Sequence, residues 1–454
     1  MATTVHPETA PAAPHVHPTY HEVTRDIAAT LGSPSRSYFV LFAFVLLVLA
    51  AGALALLYQV RWGLGVAGYT PPVMWGVYIT TFVFWVGIAH SGTLISAILY
   101  LFRSAWRTAV YRTAEAMTVF AVMTAGLFPL IHVGRLWYAY WLIPYPNQRG
   151  LWVNFKSPLI WDVFAVSTYF TVSTLFLIVG LVPDIAALRD KATGWRRKLY
   201  EATALGWRGT DQQWRHYTKA YLYLAALATP LVLSVHSVVS WDFAMSIVPG
   251  WHATIFAPYF VAGAIYSGVA MVVTLIVPIR KVFKLERYIT VMHFENLAKL
   301  LLLTGMIVGY AYITEYFIAW YSGNPYERAS FWNRAFGEYW WATWTMLLCN
   351  GVLPWLLWFP KVRRSIPALF VMSLFVNLGM WFERFVIIVV SLSFEYEPYA
   401  MGHYTPSWVD WTVLAGSFAW FFMWFLLFAK NFPTVSITEV KEIIPMPRRK
   451  GAHP

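Results

Sequence analysis

Phe128-Pro-Leu-Ile-His132-Val-Gly-Arg135-Leu-Trp-Tyr-Ala-Tyr-Trp141, followed by Ser157-Pro-Leu-Ile-Trp-Asp162, sets ionisable side chains inside apolar sequence. His132, Arg135 and Asp162 each lie in or beside a run long enough to cross a bilayer. Hydrocarbon penalises such side chains by roughly 2.5–3.5 kcal/mol each on insertion scales. They are therefore read as functional, and the runs that carry them as spans of an all-α polytopic membrane protein.

The rest of the chain agrees. Of 454 residues, 59% are hydrophobic and only 12% charged, against about 25% charged in soluble domains. The 25 Trp suit aromatic belts at membrane interfaces. Apolar runs recur ten times, over 38–58, 72–102, 114–143, 159–182, 220–240, 255–279, 293–321, 339–359, 366–392 and 408–429. A helical span needs about 20 residues. Alternate connections are basic: those holding Arg103 to Arg112, Arg189 to Lys219, Arg280 to Arg287, Lys361 to Arg364 and Lys430 to Lys450. The positive-inside rule then predicts ten transmembrane helices with both termini cytoplasmic. The same loops, facing anionic lipid, account for a net charge of +12 without nucleic acid. The predicted division is a cytoplasmic tail over 1–37, spans over 38–182, a cytoplasmic connector over 183–219, spans over 220–429 and a cytoplasmic tail over 430–454. The first 36 residues lack the apolar core of a cleavable signal peptide and read as a mobile tail. Their His6, His15, His17 and His21 fit no zinc spacing, and no metal site is expected. The single cysteine, Cys349, can form no internal disulfide and cannot hold an iron–sulfur cluster alone.

At i, i+3, His132 and Arg135 share a helical side, near the outer end of the third run. Asp162 begins the fourth run on the same side. Quinol oxidation needs an apolar slot for the ring and proton acceptors at its oxygens. Histidine titrates near neutrality, and a carboxylate can take the other proton. Nothing else in the chain accepts single electrons, so the acceptor is expected in a partner. An Arg135–Asp162 ion pair with His132 as bystander explains the same residues structurally. In Trp85-Val-Gly-Ile-Ala-His90-Ser-Gly-Thr93, the small residues allow close helix packing. His90 then either faces an interior site or bonds a neighbouring helix. The stretch from His236 through Asp242 to His252 has no Lys or Arg and reads as an outer loop on which another subunit docks. His236 and Asp242 would extend the polar site. Glu115, Glu295, Lys299, Glu315, Glu383 and Arg384 form a charge ladder that is a candidate proton path. Equally, Glu295 and Lys299 at i, i+4 neutralise each other, and Glu115 lies close enough to solvent to be ordinary. Two other classes stay open: a haem b anchor with His132 and His236 as axial ligands, or a transporter or structural anchor with helix breaks at Pro230 and Pro354.

Segments 85–96, 130–141, 157–162, 233–263 and 297–315 resemble the NrfD/polysulfide reductase membrane subunit family. The distinctive parts are Ser234-Val-His-Ser, Trp241-Asp-Phe-Ala, Pro249-Gly-Trp-His and Gly309-Tyr-Ala-Tyr-Ile-Thr-Glu315. Within the family they resemble the ActC branch of Alternative Complex III, a quinol oxidase complex of bacterial respiratory chains. The His132/Asp162 pair and the long outer stretch favour that branch over its sister, ActF. The resemblance implies two four-helix bundles, runs 2–5 and 6–9, flanked by runs 1 and 10. It implies a quinol site in the first bundle with His132 and Asp162 as the pair and Arg135 as neighbour. Above it would sit a periplasmic iron–sulfur subunit, with further membrane subunits, one of them homologous, alongside. Menaquinone as the favoured quinone, no covalent cofactor, proton translocation and a bacterial cytoplasmic membrane complete the expectation.

Overall fold

Lipid offers backbone amides no partner, so a spanning chain must be helical or a closed barrel. The computed structural model describes residues 18–143, 157–253 and 255–444. Among these the chain is helical, without strands beyond an isolated bridge between Thr70 and Val73. In order, the helices are α1 (Tyr20–Ala29), α2 (Arg36–Trp62), α3 (Val77–Leu101), α4 (Tyr111–His132), α5 (Pro158–Arg189), α6 (Gly194–Thr203) and α7 (Asp211–Ala244). Then come α8 (Phe256–Val282), α9 (Val291–Tyr321), α10 (Pro325–Phe336), α11 (residues 340–358), α12 (Ile366–Val390), α13 (Trp408–Asn431) and α14 (Ile437–Glu442).

Among the described residues, nine helices are long and apolar enough to span: α2, α3, α4, α5, α7, α8, α9, α12 and α13. The remaining apolar run is α11. It is α-helical over Trp340–Met346, a π turn over Leu347–Val352 and a 3-10 turn over Leu353–Trp358. Pro354, lacking an amide hydrogen, sits where the register tightens. Of the ten apolar runs, nine yield helices long and apolar enough to span, and the tenth is the broken helix α11.

Helices α3, α4, α5 and α7 pack as one bundle, and α8, α9, α11 and α12 as a second. Helix α8 joins them by packing on both α3 and α7. The flanking helices α2 and α13 lie against each other. A Cβ on Gly52 would stand 2.7 Å from the Cα of Gly416, so only small residues let these backbones approach so closely.

Antiparallel succession leaves two rims. One gathers His132, Asp162, Asp242 and the loop before α13; the other gathers the basic connections. The basic rim is more ordered than the sequence suggested. Residues 18–35 are no mobile tail, because Thr19 and Glu22 close a capping box on α1, and Val23 and Ile27 are buried. Of the early histidines only His21 is described; His6, His15 and His17 lie outside the described residues. Helix α5 continues to Arg189 and α7 begins at Asp211, so the predicted connector is largely helical. After α13 the chain folds back under the first bundle. The Thr113 hydroxyl donates to the Thr434 carbonyl at 3.0 Å, and the Thr438 amide and hydroxyl donate to Asp184 at 2.9 and 2.8 Å. Arg107 pairs with Glu439 at 2.6 Å, and α14 also touches α1.

Candidate functional site

Helix α4 ends at His132 because Gly134 takes a left-handed turn, φ +80°, and Arg135 is extended. The expected shared face of His132 and Arg135 therefore never forms. Arg135 is exposed, its guanidinium 5.9 Å from the Trp137 ring centre. Arg135 makes no ion pair with Asp162, so the structural reading of the two as a pair with His132 as bystander does not hold. The His132 imidazole is half-buried and meets Tyr69 edge-on, ring centres 5.6 Å apart at 83°. Its Nδ1 is buried without a hydrogen-bond partner. Tyr69 stacks on Tyr404 at 5.3 Å. The Tyr78 hydroxyl donates to the Gln59 side chain at 2.6 Å, and Gln59 in turn donates to the Ile131 carbonyl at 2.9 Å. Tyr69, Tyr78, Gln59 and Tyr404 make an aromatic, polar-edged cradle that the sequence reading missed. Its residues come from two connections and two helices, and no local spacing links them.

Asp162, in the first turn of α5, meets not His132 but Asp242 near the end of α7. Their side chains are in contact, and each Oδ1 is buried without a further partner. Trp161 and Trp241, each one position earlier, also meet edge-on at 5.8 Å. The cause is helix rotation: α5 packs on α7, which turns Asp162 towards that neighbour. Two carboxylates side by side repel each other, which favours uptake of a proton by such a pair. His236 and Asp242 lie within α7 rather than on a loop, and His252 is exposed beyond it.

Deeper in the protein, His90 and His236 meet with ring centres 4.6 Å apart, both buried. His90 Nδ1 bonds the Val86 carbonyl at 2.5 Å, while its Nε2 and both nitrogens of His236 have no partner. His236 lies against Phe260, whose ring is covered by the Arg384 guanidinium at 4.5 Å. Arg384 pairs with Glu383 at 2.9 Å, the Tyr312 hydroxyl donates to Glu383, and Asn350 donates to Tyr312 at 3.0 Å. Glu315 is buried one turn beyond Tyr312 on α9, with Oε1 unpartnered. Part of the charge ladder is thus an interior network across both bundles. Other members are elsewhere. Glu295 is held at the basic rim by Lys299 at 3.6 Å, Arg363 at 3.3 Å and Arg364 at 2.9 Å, and the Lys299 side chain is 55% exposed. Those two are a surface cluster. Glu115, expected near solvent, is buried: Arg112 lies 3.0 Å away, the Tyr221 hydroxyl donates to it at 2.9 Å, and Arg112 also reaches Asp184 at 3.2 Å.

His132 and His236 have different neighbours, Tyr69 for one and His90 with Phe260 for the other. Of the suggested helix breaks, Pro230 lies inside an unbroken α7 and only Pro354 marks a real interruption. Two cavities, of about 620 and 650 Å³, open on the basic rim beside Trp207 and Lys441 and on the opposite rim beside Trp332 and Phe394. Both lie away from His132 and Asp162.

Residues 65–394, well over half the chain, match the family model described as polysulphide reductase, NrfD. The chain belongs to the NrfD family. Relatives include a protein of Halobacterium salinarum described as a membrane subunit of dimethyl sulfoxide reductase, 28% identical over 79% of this chain and 78% of the relative. Another, from Archaeoglobus fulgidus, is described as an Hdr-like menaquinol oxidoreductase integral membrane subunit; it is 20% identical over 90% of this chain and 97% of its own. A selenate reductase subunit of Mesobacillus selenatarsenatis is 23% identical over 78% of this chain and 82% of its own. This NrfD-family chain is accordingly a multi-pass integral membrane protein. Its match spans both bundles and stops before the loop that carries Tyr404.

Proposed function

We propose that the chain is the quinol-oxidising membrane subunit of a respiratory redox complex, of the ActC type. The observation that carries this reading is the buried, unpartnered Nδ1 of His132, whose ring lies against a cradle of tyrosines at the end of the first bundle. An aromatic wall suits a quinol ring, and a free imidazole nitrogen suits its hydroxyl. His132 accepts one proton. The Asp162–Asp242 pair, on the same rim, takes the other. Two electrons leave for an iron–sulfur subunit docked on that rim, which faces the periplasm of a bacterial cytoplasmic membrane. The relatives named above, one of them described as a menaquinol oxidoreductase subunit, support a quinol substrate and favour menaquinol. They also support further membrane subunits, one of them homologous, as partners. The interior network of His90, His236, Arg384, Glu383 and Glu315 is the candidate route for coupled proton movement, with Glu115 at its far end. Glu295 and Lys299 lie off this route.

Replacing His132 by Ala, or Asp162 by Asn, is expected to cut quinol oxidation by at least about 100-fold, the usual scale of a lost proton acceptor. The measurement is oxidation of a soluble menaquinol analogue by the isolated complex, with its full assembly checked alongside. Full turnover in both variants would remove the quinol site from this place.

A further inference from the structure

Helix α2 belongs to neither bundle, and little of it is buried. Its buried residues are Val45, Gly52, Ala55 and Gln59, and among them only Gln59 has a polar side chain. An amide side chain away from water is costly unless it is hydrogen-bonded. Gln59 is fully buried, and both ends of its amide are used. A glutamine that merely fastened α2 to a neighbouring helix would need one bond to any of them. The two bonds of Gln59 both lead to His132.

Its Nε2 donates to the Ile131 carbonyl at 2.9 Å, and its Oε1 accepts the Tyr78 hydroxyl at 2.6 Å. The chemistry of the partners fixes both directions. A backbone carbonyl only accepts, so the amide nitrogen must face Ile131. The amide oxygen also only accepts, so the one hydroxyl hydrogen of Tyr78 is committed to it. Ile131 immediately precedes His132, and its carbonyl also accepts the Gly134 amide at 3.0 Å. Gln59 thus grips the turn that ends α4. The connection that leaves α2 packs on the same turn: a Cβ at Gly134 would stand 3.1 Å from the Leu64 Cβ. On the far side, the Tyr78 amide donates to the Tyr69 oxygen at 3.3 Å, and Tyr69 meets the His132 ring edge-on. A closed circuit results, from Gln59 through Ile131, His132, Tyr69 and Tyr78 back to Gln59. It holds the imidazole against the tyrosines from both sides.

We infer that Gln59 is a positioning residue of the His132 site, supplied by a flanking helix to set the imidazole against the tyrosine wall. The inference rests on the quinol reading above. A carboxamide does not titrate, so Gln59 takes no proton from quinol and acts through His132.

The test uses the isolated complex, with a menaquinol analogue as donor and ferricyanide as acceptor. Gln59→Met keeps the length of the side chain and makes neither bond. A misplacement of about 1 Å can cost about 100-fold in rate, so Gln59→Met should lower kcat by about 10- to 100-fold with KM unchanged. In a His132→Ala background the same substitution should lower the residual rate no further, because no imidazole is left to position. General damage to the fold would lower both backgrounds alike. Parental kcat in Gln59→Met, or an equal drop in both backgrounds, overturns the assignment. If Gln59→Met does not assemble, Tyr78→Phe replaces it in both comparisons and is read in the same way, since it keeps the ring and the amide but loses the bond to Gln59. If His132→Ala is itself fully active, the quinol reading falls, whatever Gln59 does.

Discussion

Arg107 and Glu439 illustrate what a single pair does at the basic rim. Both are buried and 2.6 Å apart, and the Arg107 guanidinium also lies 4.7 Å from the ring centres of Tyr100 and Tyr111. Burial pushes the Glu439 carboxyl above its ordinary range, and Arg107 draws it back down. Removing one partner strands the other charge, at a cost of about 3–5 kcal/mol, whereas removing both costs less. Glu439→Ala should therefore lower the thermal unfolding midpoint in detergent more than the Arg107→Ala, Glu439→Ala double variant does. A double variant as unstable as the single one would count against pairing as the reason. Among residues, the sequence made visible which charges are costly: His132, Asp162, Glu383 and Arg384 all stood out in apolar runs. It did not show their partners. Asp162 meets Asp242 because of how α5 and α7 are rotated, and rotation is set by packing over whole helices.

Among elements, ten apolar runs were legible from length alone, while their interruptions were not. The π turns over Leu94–Ile98, Leu347–Val352 and Val386–Val390 leave almost no local signature. Pro354, just after the second of them, is the one residue that marks any of them in the sequence. The end of α4 was misjudged because Leu136 to Leu142 is as apolar as the helix before it; Gly134 alone bends the chain away. The contact between α2 and α13 is likewise a matter of two glycines. Gly416→Leu must push these helices apart, and overpacking of this kind costs about 1–3 kcal/mol. A lower unfolding midpoint in Gly416→Leu, with no change in a Gly65→Leu control where a side chain meets open space, is the expected result. Equal midpoints in all three proteins would deny the contact any weight.

For the whole molecule, the alternation of basic connections predicts which rim faces which compartment. Trp332, on α10, and Trp195, on α6, lie on opposite rims and are 69% and 62% exposed. With Cys349 replaced by Ser, Trp332→Cys should react with a membrane-impermeant maleimide on intact cells. Trp195→Cys should react only after the membrane is opened. The reverse pattern would turn the protein over and put the His132 rim in the cytoplasm. The grouping into two four-helix bundles with flanking helices came from family resemblance rather than from any one stretch, because bundle membership depends on contacts such as α8 with α3 that no window of sequence contains.

The first helix described, α1, rests on the last, α14, at the basic rim. Beginning and end of the fold are thus neighbours on one side of the bilayer. Nothing in the contacts demands that the ribosome deliver α2 first and α13 last. A circularly permuted gene, opened at the exposed stretch between α5 and α6 on that same side, would keep every span pointing as before.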